Sequence, residues 1–434
     1  MSDRRRMHPA QALCRFVDDA PSPRHAAHAL VTALKAAGYR ALDLRAARWP
    51  LGVGGWYVTR GATVIAFHLR ATTAPTRVLA VGAHTDSPHL RLKARPAYAS
   101  EGCLQLAVEV YGGALWNSWL DRDLGLAGAV FTDDGGAHLV RVHRPVARVS
   151  QLAIHLDRKV NDEGLKLNPQ LHLAPMWGLS RGDDPGAELL ALLAEASGVP
   201  AGDIVGHDLS LYDVTPAALG GARGEFVFAA RLDNLASCHA GVAALTAAGA
   251  QGDVDTLPLL GCFDHEEVGS ASIDGADGTL LAVVLERVVT ELGGTRSHLH
   301  AAIASSLMVS ADMAHAAHPN YADKHEPRHK PQLGGGVVLK SNHNQRYGTS
   351  GESYARLKGV ARRADVALQD FVTRTDIGCG STIGPITASR LGMPVVDCGA
   401  PMLSMHSARE CMAAEDHARY VALLTGHLGG EAAR

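Results

Sequence analysis

Residues 225–270 read EFVFAARLDNLASCHAGVAALTAAGAQGDVDTLPLLGCFDHEEVGS. Within them Phe226-Val-Phe228 reads as a strand, residues 234–248 as a helix, and Pro258-Leu-Leu-Gly-Cys262 as an apolar run of strand length. Strand, helix and strand in succession predict an α/β sheet whose parallel strands are covered on both faces. Toward the C-terminus the pattern continues. A helix is expected over 279–292, a strand at Leu307-Met-Val309, another at Gly336-Val-Val-Leu339, a helix near 354–366, a strand at Pro394-Val-Val396 and a closing helix over 413–428. Toward the N-terminus stand a helix over 23–38, β-rich pieces at 55–59 and 63–67, and a buried strand over 78–83 that stops at His84.

Between these regular parts the texture changes. Residues 94–224 hold short β-like pieces, Gly-rich turns and one helical run near 187–196, without alternating strand and helix. Similar texture on both sides makes this stretch an insertion. The expected division is a catalytic domain from 1–93 and 225–434, interrupted by an inserted, mostly β domain over 94–224.

The bulk properties exclude several classes. The chain has 434 residues, 47% apolar and 20% charged, which suits two or three globular domains and argues against disorder. Lys plus Arg is 41 against 44 for Asp plus Glu, a net charge of −3, so no bulk basic field invites nucleic acid or acidic membrane. The arginines at 4–6 are not followed by an apolar stretch, so the segment is a poor signal peptide, and no run reaches the ~18–20 residues of a membrane span. Seven Cys without a C-x-x-C pair suit a reducing cytoplasm. Histidine is the outlier, with 23 copies that invite a search for metal ligands or acid/base chemistry.

In a parallel α/β sheet, ligands collect where strands end at their carboxyl edge. His84-Thr-Asp86 follows residues 78–83, Arg231-Leu-Asp233-Asn234 follows 226–230, and Asp264-His-Glu266-Glu267 follows Phe263. Asp312 follows 307–311, and His406 lies past Pro394-Val-Val396. Each residue alone has a plain reading: Asp233 as a helix cap, Asp86 as an Asx turn, the Glu pair as a solvated helix start, Lys340 as a side chain reaching solvent. Their coincidence at five strand exits instead suits two divalent ions, with His84, Asp233, Glu267, Asp312 and His406 as ligands and one carboxylate bridging.

At these residues the chain resembles the aspartyl aminopeptidase family of dinuclear zinc exopeptidases. The matching strings are Ala83-His-Thr-Asp-Ser-Pro-His89, Ala230-Arg-Leu-Asp-Asn234, Asp264-His-Glu-Glu-Val-Gly-Ser270, Ser310-Ala-Asp-Met-Ala-His315 with His318-Pro-Asn320, and Met405-His-Ser-Ala-Arg-Glu410. Ile154-His-Leu-Asp-Arg158 and Gln345-Arg-Tyr347 after Lys340 complete the set, in order along nearly the whole chain. The resemblance implies a phosphorylase-like three-layer α/β/α catalytic domain with an inserted dimerisation domain, twelve subunits forming a tetrahedral shell, and two zinc ions per subunit, with Co2+ or Mn2+ as substitutes.

By the same resemblance His84 and Asp312 hold one zinc, Glu267 and His406 the other, and Asp233 bridges them. Glu266 is then the general base, and His155, Asp312, His315, Lys340 and Tyr347 meet the substrate. By position rather than by the resemblance, Asp86, two residues beyond His84, is placed to orient its ring, and Glu266 is expected to meet the substrate's α-amine as well. His155 is expected to reach in from a neighbouring subunit, while the sequence leaves open whether the Asp233–Asn234 peptide is cis or trans. The implied activity is removal of an N-terminal residue, preferably Asp or Glu, from peptides with a free amine. A neutral or broad preference on the same metal set, or a metal-dependent amidase or deacylase, is the alternative.

Overall fold

The computed structural model describes residues 8–430, so the arginines at 4–6 and their reading lie outside the described residues. A nine-stranded sheet forms the centre, in the order Arg40–Ala41, Gly54–Arg60, Thr63–Leu69, Thr256–Phe263, Arg77–His84, Leu307–Ala311, Val395–Gly399, Val337–Lys340 and Leu368–Phe371. The middle four strands run parallel. The flanking pairings of Thr63–Leu69 and Val337–Lys340 are antiparallel, so the sheet is mixed rather than wholly parallel as expected.

Side chains alternate across this sheet and build a separate core on each face, because successive Cβ atoms of a strand point to opposite sides. Leu79, Val81, Ala83, Leu260 and Cys262 pack with the helices Pro9–Asp19, Pro23–Ala36, Leu232–Ala248 and Ala414–Gly429. Val78, Ala80, Leu257, Leu259 and Phe263 face the helices Leu280–Glu291, Arg296–Ala304 and Ile383–Leu391. The result is a three-layer α/β/α body. Residue 9–19, 296–304 and 383–391 helices were not foreseen.

A six-stranded antiparallel sheet draws its strands from residues 89–213, and the helix Pro185–Ser197 packs Leu189 and Leu193 into its own apolar core. A third sheet of five short strands joins Phe226–Ala229 to Glu410–Ala413 and also contains Ala218–Gly220, Pro401–Leu403 and Ala314–His315. The expectation that Phe226-Val-Phe228 belongs to the central sheet is therefore corrected. Its residues are alternately buried and half-buried, the pattern of a strand covered on one face, whereas the central strand Thr256–Phe263 is buried throughout. Among the described residues, no helix is long and apolar enough to cross a membrane.

Candidate metal centre and its cleft

Three of the five strand exits lie at the carboxyl edge of the parallel strands: His84 ends one, Glu266 and Glu267 follow Phe263, and Asp312 follows Ala311. Asp233 and His406 come instead from the small sheet. Asp233 follows Phe226–Ala229 at the start of the helix Leu232–Ala248, and His406 follows Pro401–Leu403. The helix opens irregularly, with non-helical backbone at Asp233 and Asn234 and a cis peptide between them. Arg231, His265 and His406 all adopt positive φ, a conformation that costs energy for side chains other than glycine and gathers at sites where geometry matters more than local stability.

These loops bring the predicted ligands together. His84 Nε2 lies 3.5 Å from Asp233 Oδ1 and 3.8 Å from Asp312 Oδ1. His406 Nε2 lies 3.5 Å from Asp233 Oδ2 and 3.5 Å from Glu267 Oε2. The two oxygens of Asp233 thus face different imidazoles, and the side chains fall into two donor sets that share one carboxylate. One donor atom each from His84, Asp233 and Glu267 lies within 4.8 Å of the others.

The donor set fits zinc. Asp233 Oδ1 and Glu267 Oε1 are buried without a hydrogen-bond partner, which is costly for a carboxylate unless a cation satisfies it. Imidazole nitrogens and carboxylate oxygens are the donors that zinc accepts.

Asp86 is wholly buried behind His84. Its backbone oxygen is 3.0 Å from His84 Nδ1 and its Oδ1 3.4 Å from the same nitrogen. Its carboxylate also accepts the N–H groups of Glu266 and Glu267, each at 3.1 Å. This arrangement turns His84 Nε2 toward Asp233 and Asp312, and it replaces the plain Asx-turn reading of Asp86.

Electrostatics follow from crowding negative charge in a dry place. Burial opposes ionisation of Asp233, but the His406 and His84 imidazoles that face its two oxygens outweigh it and hold the carboxyl well below its ordinary value. Burial likewise opposes charging of the two imidazoles. Asp233, Asp312 and Asp86 nevertheless hold His84 well above its usual range, and Asp233 and Glu267 push His406 up to about 10. Burial pushes Glu266 up to about 8, with Asp312, Asp86 and Asp233 adding to the rise, and burial and Asp233 hold Glu267 high as well. Burial and mutual repulsion thus favour the protonated forms of the two glutamates, and the carboxylates favour the protonated imidazoles.

A cleft of about 450 Å³ opens over the centre, lined by Glu266, Asp312, His315, Lys340 and Tyr347 among others. Lys340 does not reach solvent as a strand-end lysine would. It is 2% exposed, its Nζ donates to the Met313 carbonyl at 3.1 Å, stands 3.5 Å from Asp312 Oδ2 and sits 5.1 Å from the Tyr347 ring centroid. His155 is exposed and does not line the cleft of its own chain.

Sequence reasoning missed Glu410. Its two buried oxygens accept the backbone N–H of Asp233 at 3.1 Å and of His406 at 2.7 Å, tying the backbones of these two residues together. A charged residue opening the short strand Glu410–Ala413, four positions past His406, was the available signal. Asn234 was also passed over; its Nδ2 donates to the Ala311 carbonyl at 2.8 Å, beside Asp312.

The chain is similar to known proteins along nearly its whole length. The family described as Aminopeptidase I zinc metalloprotease (M18) matches residues 16–427. A "Probable M18 family aminopeptidase 2" of Streptomyces coelicolor is 47% identical over 406 residues, covering 93% of this chain and 94% of the relative. The protein of the same description from Mycobacterium tuberculosis is 44% identical over 439 residues, covering 97% and 98%. Among solved structures, that of the Ape4 and Nbr1 complex matches with a TM-score of 0.93 at 38% identity, covering 99% of this chain and 88% of the other. The Saccharomyces mApe1 dodecamer matches with a TM-score of 0.83 at 27% identity, covering 96% and 95%.

Proposed function

Because the chain belongs to the M18 family of zinc metalloproteases and is therefore a zinc aminopeptidase, we propose that it prefers Asp or Glu at the substrate's first position and works with two zinc ions per subunit. His84 and Asp312 would hold one ion, His406 and Glu267 the other, and Asp233 both. When bound, the ions supply Lewis-acid polarisation of the scissile carbonyl and acidification of a water molecule. Glu266 takes the proton of that water and delivers it to the leaving amine, as a general base turned general acid. Glu266 and Asp312 also offer negative charge to the substrate's α-ammonium, which explains the need for a free N-terminus.

The observation that carries the acidic preference is the inward-turned ammonium of Lys340 at the wall of the cleft, beside His315 and Tyr347. A cation held in a poorly hydrated wall attracts a carboxylate more strongly than it would in water. Lys340→Ala is expected to lower kcat/KM for Asp- and Glu-peptides by roughly 10- to 100-fold, with a much smaller loss for Leu-peptides. Steady-state kinetics on matched peptides reads this directly, and an equal loss across all of them would remove the acidic preference. The contact between Lys340 and Asp312 favours the second reading, a neutral or broad preference, because part of the ammonium's charge is already compensated.

We further propose that residues 94–224 form the dimerisation domain and that subunits assemble into a dodecamer, an assembly supported by the similar mApe1 structure, which is a dodecamer. In such a shell the exposed His155 would meet a neighbour's cleft. The seven cysteines are all unpaired, which fits a reducing cytoplasm.

A further inference from the structure

The strand Cys103–Tyr111 belongs to the six-stranded sheet, yet its end touches both halves of the metal centre. Tyr111 Oη donates to Asp86 Oδ2 at 2.8 Å, on the same oxygen that accepts the Glu267 N–H at 3.1 Å. Burial and the nearby Asp86 and Asp264 carboxylates hold the Tyr111 phenol well above its ordinary range, so it remains a donor. Its ring is stacked on His89, with centroids 4.5 Å apart and planes 15° from parallel. Burial lowers His89 to about 4, which keeps that imidazole neutral.

The next two residues continue the contact. Gly112 has φ +67°, and a Cβ there would stand 3.0 Å from the Glu267 Cβ. The Gly113 carbonyl lies 3.0 Å from His406 Nδ1 and fixes that nitrogen as the protonated one, leaving Nε2 free toward Asp233 and Glu267. Two residues further on, the Leu115 N–H donates to the His406 carbonyl at 3.0 Å. One short segment of the second sheet therefore braces His84 through Asp86, Glu267 through Asp86 and Gly112, and His406 through Gly113 and Leu115.

We propose that Tyr111-Gly112-Gly113 is a positioning segment for the reaction, through which the six-stranded sheet sets the geometry and zinc affinity of the active site. Tyr111 holds the Asp86 carboxylate, Asp86 holds His84 and the two glutamate N–H groups, and no atom of Tyr111 needs to touch substrate. The inference rests on the ligand assignment proposed above. Tyr111→Phe deletes only the hydroxyl and keeps the ring stacked on His89. It is expected to lower kcat by about 10- to 100-fold with KM little changed, and to weaken zinc binding by a similar factor.

The test compares the full-length wild type, Tyr111→Phe and Tyr354→Phe. Tyr354 donates to Asp370 on the surface at 2.6 Å, a hydroxyl–carboxylate bond of the same kind away from the cleft. Zinc affinity is read by chelator competition and the site's symmetry by the visible spectrum of the cobalt-loaded proteins, beside kcat and KM. Weakened zinc binding and an altered cobalt spectrum in Tyr111→Phe alone would bear the proposal out. Wild-type affinity, spectrum and kcat in Tyr111→Phe would overturn it while leaving the ligand assignment intact. A wild type that binds no zinc would overturn the ligand assignment, and this proposal with it. If Tyr111→Phe is poorly folded, Gly112→Ala takes its place: its new methyl presses on Glu267, and unchanged zinc affinity there would equally overturn the claim.

Discussion

Glu266→Gln is expected to retain the fold and both zinc ions while losing turnover by roughly 10²- to 10⁴-fold, the range by which a positioned general base accelerates proton transfer. The amide keeps the size of the side chain, and the backbone N–H on Asp86 is untouched. What disappears is the capacity to take a proton from water and return it to the leaving amine. Glu266 stands 3.9 Å from His84 Nε2 and lines the cleft together with Asp312. Kinetics on a free-amine peptide, with zinc content measured on the same preparation, separates loss of the base from loss of metal. Activity like that of the wild type would move the base elsewhere.

Asp233→Ala is expected to lose turnover at least as completely, and for a different reason. Its two oxygens face His84 and His406, so its removal takes a donor from both sets at once. A zinc titration followed by proton release distinguishes the two variants. In the wild type without metal, Asp233 is a chief cause of the upward shift of His84 and His406, which favours the protonated imidazoles. Ligation requires neutral imidazole, so zinc uptake must expel those protons, and apparent zinc affinity rises as pH rises. Asp233→Ala should bind zinc weakly and release fewer protons per ion. Two tightly held ions in that variant would contradict the bridging role.

The residues whose chemistry is local were legible in the sequence. His84, Glu266, Glu267 and Asp312 sit where parallel strands of the central sheet end, and apolar runs ending in polar residues mark such positions on one-dimensional evidence. Asp233 was found by the same rule although its strand belongs to the small sheet, whereas His406 was referred to the central strand at Pro394-Val-Val396 and instead follows the small-sheet strand Pro401–Leu403. The mixed direction of the central sheet was not legible, since apolar runs carry no sign of orientation. Nor were Tyr111 and Glu410. Tyr111 lies 25 residues from the Asp86 that it holds and Glu410 177 from Asp233, so only the folded chain reveals the pairings. Lys340 shows the limit of pattern reading: a lysine at the end of Val337–Lys340 suggests solvent, and the fold buries it.

The most direct test is hydrolysis of unblocked Asp-, Glu-, Leu- and Arg-peptides beside an N-acetylated Asp-peptide, with the enzyme stripped of metal and then restored with zinc. The account predicts no cleavage without metal and zinc-restored cleavage of the free Asp- and Glu-peptides ahead of the Leu- and Arg-peptides. The acetylated peptide should stay intact because it presents no α-ammonium to Glu266 and Asp312. Faster cleavage of Leu or Arg would contradict the role given to Lys340, and cleavage of the acetylated peptide would contradict the anchoring of a free N-terminus.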